Sequence, residues 1–173
     1  HDIAQTHYFK GEYDEPMTPA LKALSLRLKL LGPEHSDVAY SYNNIGLVHT
    51  AKGEYDKAME NFQKSMKILL DRYGSDHPFV GILYHSIGEW HVANGEYDEA
   101  QKIFDKTLPM GIKKLGPDHP HMTYLYNEIG KVHYNKREYD KAREYFQKTT
   151  SIGLKDELIP DHPEIKEAKK RLN

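Results

Sequence analysis

The sequence has no cysteine, which excludes disulfide frameworks, thiolate metal sites and a cysteine nucleophile. No apolar run approaches the roughly 20 residues that a bilayer-spanning helix needs, so no membrane association is expected. Neither sign of charge dominates. The chain carries 24 Lys and Arg against 26 Asp and Glu, a formal net charge of −2, with the signs interspersed. Without a basic stripe or an acidic tail, nucleic acid and anionic membranes are not expected as partners. Also missing are a glycine-rich phosphate loop, a Gly-x-Ser-x-Gly elbow, a His-Glu-x-x-His pair and an Asn-x-Ser/Thr sequon. The expectation is therefore a protein that is not an enzyme, needs no cofactor and no metal, and resides in a reducing, cytoplasmic compartment. The chain opens at His1 rather than Met, which reads as a boundary within a longer protein.

What is present is a folded composition, 38% hydrophobic and 29% charged over 173 residues, enough for one domain. Its organising feature is repetition. Gly11-Glu12-Tyr13-Asp14 returns as Gly53-Glu54-Tyr55-Asp56, Gly95-Glu96-Tyr97-Asp98 and Arg137-Glu138-Tyr139-Asp140, each 42 residues on. Leu31-Gly32-Pro33-Glu34-His35, Tyr73-Gly74-Ser75-Asp76-His77 and Leu115-Gly116-Pro117-Asp118-His119 keep the same step. So do Ile45-Gly46, Ile87-Gly88 and Ile129-Gly130.

Each period reads as two helices. The first, over 38–52, places Tyr42, Ile45 and Val48/His49 at helical spacing. Pro78, Pro120 and Pro163 stand where the equivalent helices begin. The second, from Tyr55 to about Tyr73, carries Ala58, Phe62, Met66, Leu69 and Leu70 on one face. Gly46, Gly88 and Gly130 lie inside a helix, where glycine costs about 1 kcal/mol relative to alanine. Close approach of the partner helix would offset that cost, with Ala58, Ala100 and Ala142 as the expected opposing residues. Phe62, Phe104 and Phe146 are then expected to fill the wedge between successive pairs.

These columns resemble the tetratricopeptide repeat, in the longer 42-residue variant found in kinesin light chains and nephrocystin-3-like proteins. The resemblance implies an all-α, right-handed superhelical solenoid of antiparallel helix pairs. It departs from that family at the first-helix tryptophan, which is Tyr42, Tyr84 and Tyr126 here. A single domain over 1–173 is expected, with a partial first repeat (1–32), full repeats over 37–74, 79–116 and 121–158, and a capping helix over 163–173. Pro16 and Pro19 predict a late start, near Thr18, for the helix that ends at Leu31.

The resemblance also implies a scaffold or adaptor that takes a peptide or helix in a concave groove lined by the first helices. The face opposite the Tyr42/Ile45/His49 stripe supplies Tyr40, Asn43, Asn44, Leu47 and Thr50. The next repeats supply Ile82, His85, Ser86, Glu89 and Val92, then Tyr124, Asn127, Glu128, Lys131 and Tyr134, and the partial unit adds Asp2, Gln5, Tyr8 and Phe9. Asparagine offers donor and acceptor together to a peptide backbone, and tyrosine is enriched at contact sites. Lys131 is the one cation on that face, so the basic clamp for acidic chain termini is absent and a neutral or basic segment is favoured. Alternatives are a structural spacer, self-association through the incomplete first repeat, and a regulatory domain of a larger enzyme. Eight of the eleven histidines fall in two columns, His7/His49/His91/His133 and His35/His77/His119/His162. Members one repeat apart cannot all stand within about 2 Å of one ion. The second column is expected to cap the first helices instead.

Overall fold

The structure is a computed structural model that describes residues 14–155 and 170–171. Among the described residues the regular elements are helices: α1 (Asp14–Leu31), α2 (Ser36–Ala51), α3 (Tyr55–Tyr73), α4 (Pro78–Ala93), α5 (Tyr97–Leu115), α6 (Met122–Asn135) and α7 (Tyr139–Lys155). The expected capping helix and the first-helix portion of the partial repeat lie largely or wholly outside the described residues. The chain forms two compact units, one through Asn94 and one from Gly95.

In the first unit α2 packs on α1, α3 and α4, and α4 also packs on α3. Ala39, Ala58, Phe62, Leu69, Val80, Leu83 and Trp90 form the core, with Leu47, Tyr55, Met59 and Ile87 partly buried around it. Polar bonds tie α3 to α4: the Trp90 indole N–H donates to the Tyr55 carbonyl (3.0 Å), and the Tyr55 hydroxyl donates to the Ala93 carbonyl (2.8 Å). In the second unit α6 packs on both α5 and α7. Ala142, Phe146, Ile129 and Val132 are buried there, and Lys136 joins α5 through Asp98 (2.7 Å) and Gln101 (2.6 Å).

Gly46 and Gly130 make the close approach expected of them, but the nearest opposing residue differs. A Cβ on Gly46 would stand 2.5 Å from the Phe62 ring, and one on Gly130 equally close to Phe146. The phenylalanine therefore enters the notch of its own hairpin, where Ala58 had been expected. Alanine is too short to fill the space, whereas a ring reaches it.

Two helix starts also differ from expectation. Helix α1 is already helical at Asp14, the first described residue, and runs through both prolines. Pro16 falls among the first N–H groups, which lack an intrahelical partner anyway, and Pro19 removes one bond close to the end. Helix α6 begins at Met122, two residues after Pro120, whereas Pro78 opens α4 in the first turn as expected. His35 and His77 cap their helices as expected, Nδ1 accepting the backbone N–H of Asp37 and Phe79, each at 3.2 Å. His119 Nδ1 accepts the His121 N–H at 3.2 Å, but because α6 starts after His121 this bond does not cap the helix, and the His121 side chain makes no cap bond either.

Candidate functional site

Residues at i, i+4 and i+7 share one line along a helix, so α2 and α4 each present a stripe. On α2 it is Tyr40, Asn44 and Leu47. Tyr40 is 38% exposed, and Asn44 and Leu47 are half-buried. Asn43, at the margin, is buried, and its Oδ1 has no hydrogen-bond partner. Thr50 is buried and donates to the Gly46 carbonyl of its own helix (3.0 Å). The α4 stripe is Ile82, Ser86 and Glu89. Ile82 is 52% exposed, and Ser86 is buried and donates to the Ile82 carbonyl (3.3 Å). His85 and Glu89 are half-buried, one turn apart, with Nδ1 3.9 Å from Oε2. Val92 is half-buried. Helices α2 and α4, which carry these two stripes, are in contact.

The α6 residues belong to the second unit. Tyr124 is half-buried and stacks with His121 (6.4 Å between centroids). Asn127 is fully buried, and Glu128 is buried in an ion pair with Lys131 (2.8 Å). Tyr134 is 41% exposed, with the Arg171 guanidinium 4.9 Å from its ring centroid. Asp2, Gln5, Tyr8 and Phe9 lie outside the described residues. Asn43, Ser86, Asn127 and Glu128 are thus packed in, while Tyr40, Asn44, Leu47, Ile82, His85, Glu89, Tyr124, Lys131 and Tyr134 retain accessible surface.

Sequence reasoning missed Phe79. It is 45% exposed, one turn before Ile82, with its ring edge-on to Tyr73 (5.7 Å) and to His77 (4.9 Å). Its counterparts Asp37 and His121 share no chemistry with it, so the column hid it. A large apolar residue in an exposed first turn was the available signal.

Charge is unevenly divided. Helices α2 and α4 contain no Lys or Arg, and carry Asp37 and Glu89. A cation from α1 stands by the α2 stripe: Arg27 donates to Ser41 Oγ (2.6 Å) and the Asp37 carbonyl (3.3 Å), and lies 5.9 Å from the Tyr40 ring centroid. Among the described residues no group of three or more metal-ligating side chains is assembled, and no helix is long and apolar enough to cross a membrane.

The sequence profile of the tetratricopeptide repeat matches residues 1–71, 41–110 and 79–155. The chain belongs to the tetratricopeptide repeat family. Tetratricopeptide repeats are, in general, protein–protein interaction modules. Two similar structures are of a Podosopora anserina protein described as a kinesin light chain with nearly identical TPR-like repeats, one of them a single-substitution variant. Each shows 21% identity, a TM-score of 0.70, and coverage of 99% of this chain and 81% of that one. BtubC (BKLC) from P. vanneervenii is similar at 17% identity and a TM-score of 0.76, covering 98% of this chain and 67% of its own. No curated protein matches. These likenesses show the fold, an all-α repeat of the tetratricopeptide type with kinesin light chain-like neighbours.

Proposed function

We propose that this tetratricopeptide repeat chain is a non-catalytic adaptor that takes a peptide or helix segment on the exposed stripes of its first helices. The observation that carries the reading is the apolar surface of Tyr40, Phe79 and Ile82 beside half-buried Asn44 on two contacting helices. Large exposed side chains of this kind mark contact sites, and Asn44 offers both a donor and an acceptor to a ligand backbone. Tyr124, Lys131 and Tyr134 supply the equivalent positions on α6. A cytoplasmic location accords with the cysteine-free composition.

A photo-reactive amino acid placed at 44 tests this, with one at exposed Gln63 on α3 as the control. Crosslinks to one partner segment from 44, lost in Tyr40→Ala/Ile82→Ala and absent from 63, are expected. Equal crosslinking from both positions would overturn the assignment.

A second reading, self-association, has its own observation: Leu26 and Leu30 of α1 lie one turn apart and are 57% and 71% exposed. If a second copy covers them, sedimentation shows a concentration-dependent dimer that Leu26→Glu/Leu30→Glu abolishes.

A further inference from the structure

A second exposed apolar surface lies on α1, apart from the stripes of the first helices. Leu30 is 71% exposed and Leu26 57%, and with exposed Pro19 and half-buried Ala23 they form a line along that helix. The steps along the line are four, three and four residues, the alternation that keeps side chains on one seam of a helix over several turns. From Pro19 to Leu30 the seam runs for about 16 Å, at a rise of about 1.5 Å per residue.

The other copies show what these positions ordinarily hold. One repeat on, the counterpart of Leu30 is Arg72, and two repeats on it is Lys114, both exposed. Arg72 stays exposed although both α2 and α4 pack against α3, so the repeat geometry itself leaves this site to solvent. The counterparts of Leu26 are half-buried Ile68 and Met110, and Ile68 packs on the core of its unit. On α1 both positions are leucine and both are open. Single exposed apolar side chains are ordinary, but a line of them, one at a site that is charged in the other copies, marks a contact surface.

Charge decides what would cover it. Over 17–31, α1 carries Lys22, Arg27 and Lys29 and no Asp or Glu. Lys22 and Lys29 are exposed, seven residues apart, along one border of the seam. Arg27 is on the other border, turned to Ser41 Oγ and the Asp37 carbonyl of α2. Lys29 stands in the last turn, where it also offsets the partial negative end of the helix, so Lys22 is the fuller charge. A second copy of α1 on this seam brings like charges together. The lysines meet each other in an antiparallel pair, and the Arg27 border in a parallel one. A helix bordered by carboxylates instead sets acid against base along that flank.

We infer that the Pro19–Leu30 seam of α1 docks an amphipathic helix of another protein, with apolar residues at the same four-three-four spacing and Glu or Asp along its borders. This surface is separate from the α2–α4 face, and the two readings stand or fall independently.

Fluorescence anisotropy of the 173-residue chain with three labelled peptides of about 20 residues, long enough for an isolated helix to form, tests it. All three carry leucine at the four-three-four spacing, and their border positions are all glutamate, all glutamine or all lysine. Sedimentation fixes a concentration at which the chain and each peptide are monomeric. The glutamate peptide should bind about fivefold or more tighter than the lysine peptide, with glutamine between them, and the difference should shrink in high salt. Lys22→Glu/Lys29→Glu should reverse the order. Leu26→Gln/Leu30→Gln should abolish binding of all three, with circular dichroism showing that the helices remain. Tyr40→Ala/Ile82→Ala should leave binding unchanged.

Binding that survives Leu26→Gln/Leu30→Gln, or is lost in Tyr40→Ala/Ile82→Ala, puts the peptide elsewhere and overturns the inference. Equal affinity for the glutamate and lysine peptides removes the case for an acidic partner. A dimer of the chain that persists at the lowest usable concentration, and is lost in Leu26→Gln/Leu30→Gln, makes a second copy the occupant instead. If none of the peptides binds, the docking surface is refuted, and the crosslinking from position 44 decides the α2–α4 reading separately.

Discussion

At the scale of single residues, a helical glycine beneath a phenylalanine ring is a tightly constrained position in the α2–α3 and α6–α7 hairpins. In Gly46→Ala the new methyl meets the Phe62 ring at 2.5 Å. Overpacking costs about 1–3 kcal/mol, against a helix-propensity gain of about 1 kcal/mol, so net destabilisation of about 1 kcal/mol is expected from urea unfolding. A Phe62→Leu background should reduce that cost, because the two residues touch and their effects couple. Arg137 presents the opposite case. It occupies the left-handed region at φ 63°, where Gly53 and Gly95 sit in the other copies. Arg137→Gly should stabilise by about 1 kcal/mol, read as a higher denaturation midpoint. The need for glycine at both kinds of position was legible from repetition alone. The identity of the ring over Gly46 was not, because a column shows which residues recur and not which of them meet.

At the scale of helices, two polar devices recur at the junctions. The histidine caps at His35 and His77 each satisfy a backbone N–H of the first turn, and His77→Ala should lower stability by about 1 kcal/mol, as loss of a helix cap does. The second device ties α2 to the start of α3 and α6 to the start of α7. His49 Nδ1 lies 2.5 Å from Glu54, and His133 Nδ1 lies 2.8 Å from Glu138. The bond from His49 holds the Glu54 carboxyl below its ordinary value of 4.5, and Lys141 and then His133 do so for Glu138. A carboxyl lowered on folding adds stability above its unfolded value, and that contribution disappears as pH falls through the folded value. The thermal midpoint should therefore fall as pH drops below about 4.5. A Glu54→Gln/Glu138→Gln variant should show a shallower acid limb from a lower plateau. An unchanged limb would mean that these carboxyls do not report on folding. Sequence position had suggested caps for one histidine column. The glutamate partners of the other emerged only with the geometry, since neither spacing nor composition indicates a hydrogen bond across a turn.

At the scale of the molecule, the α2–α3 and α6–α7 hairpins each hold their own glycine–phenylalanine contact and draw further stability from their immediate neighbours, as in other repeat proteins. Gly46→Ala should accelerate amide hydrogen exchange first in α1–α4, and Gly130→Ala first in α5–α7. Uniform acceleration in both variants would show that the chain opens as one block. The repeat architecture was legible because three landmarks share one period. The binding stripes were legible only in part. A helical wheel marks a direction, whereas burial of Asn43 and Asn127 depends on how neighbouring elements close over the margins. The glycine–phenylalanine pairing carries a historical consequence as well. Gly46 with Phe62, and Gly130 with Phe146, are each enclosed within a single 42-residue period, so a duplicated gene segment of that length copies both halves of the contact together. Such an array can lengthen by tandem duplication with every new hairpin already matched to itself.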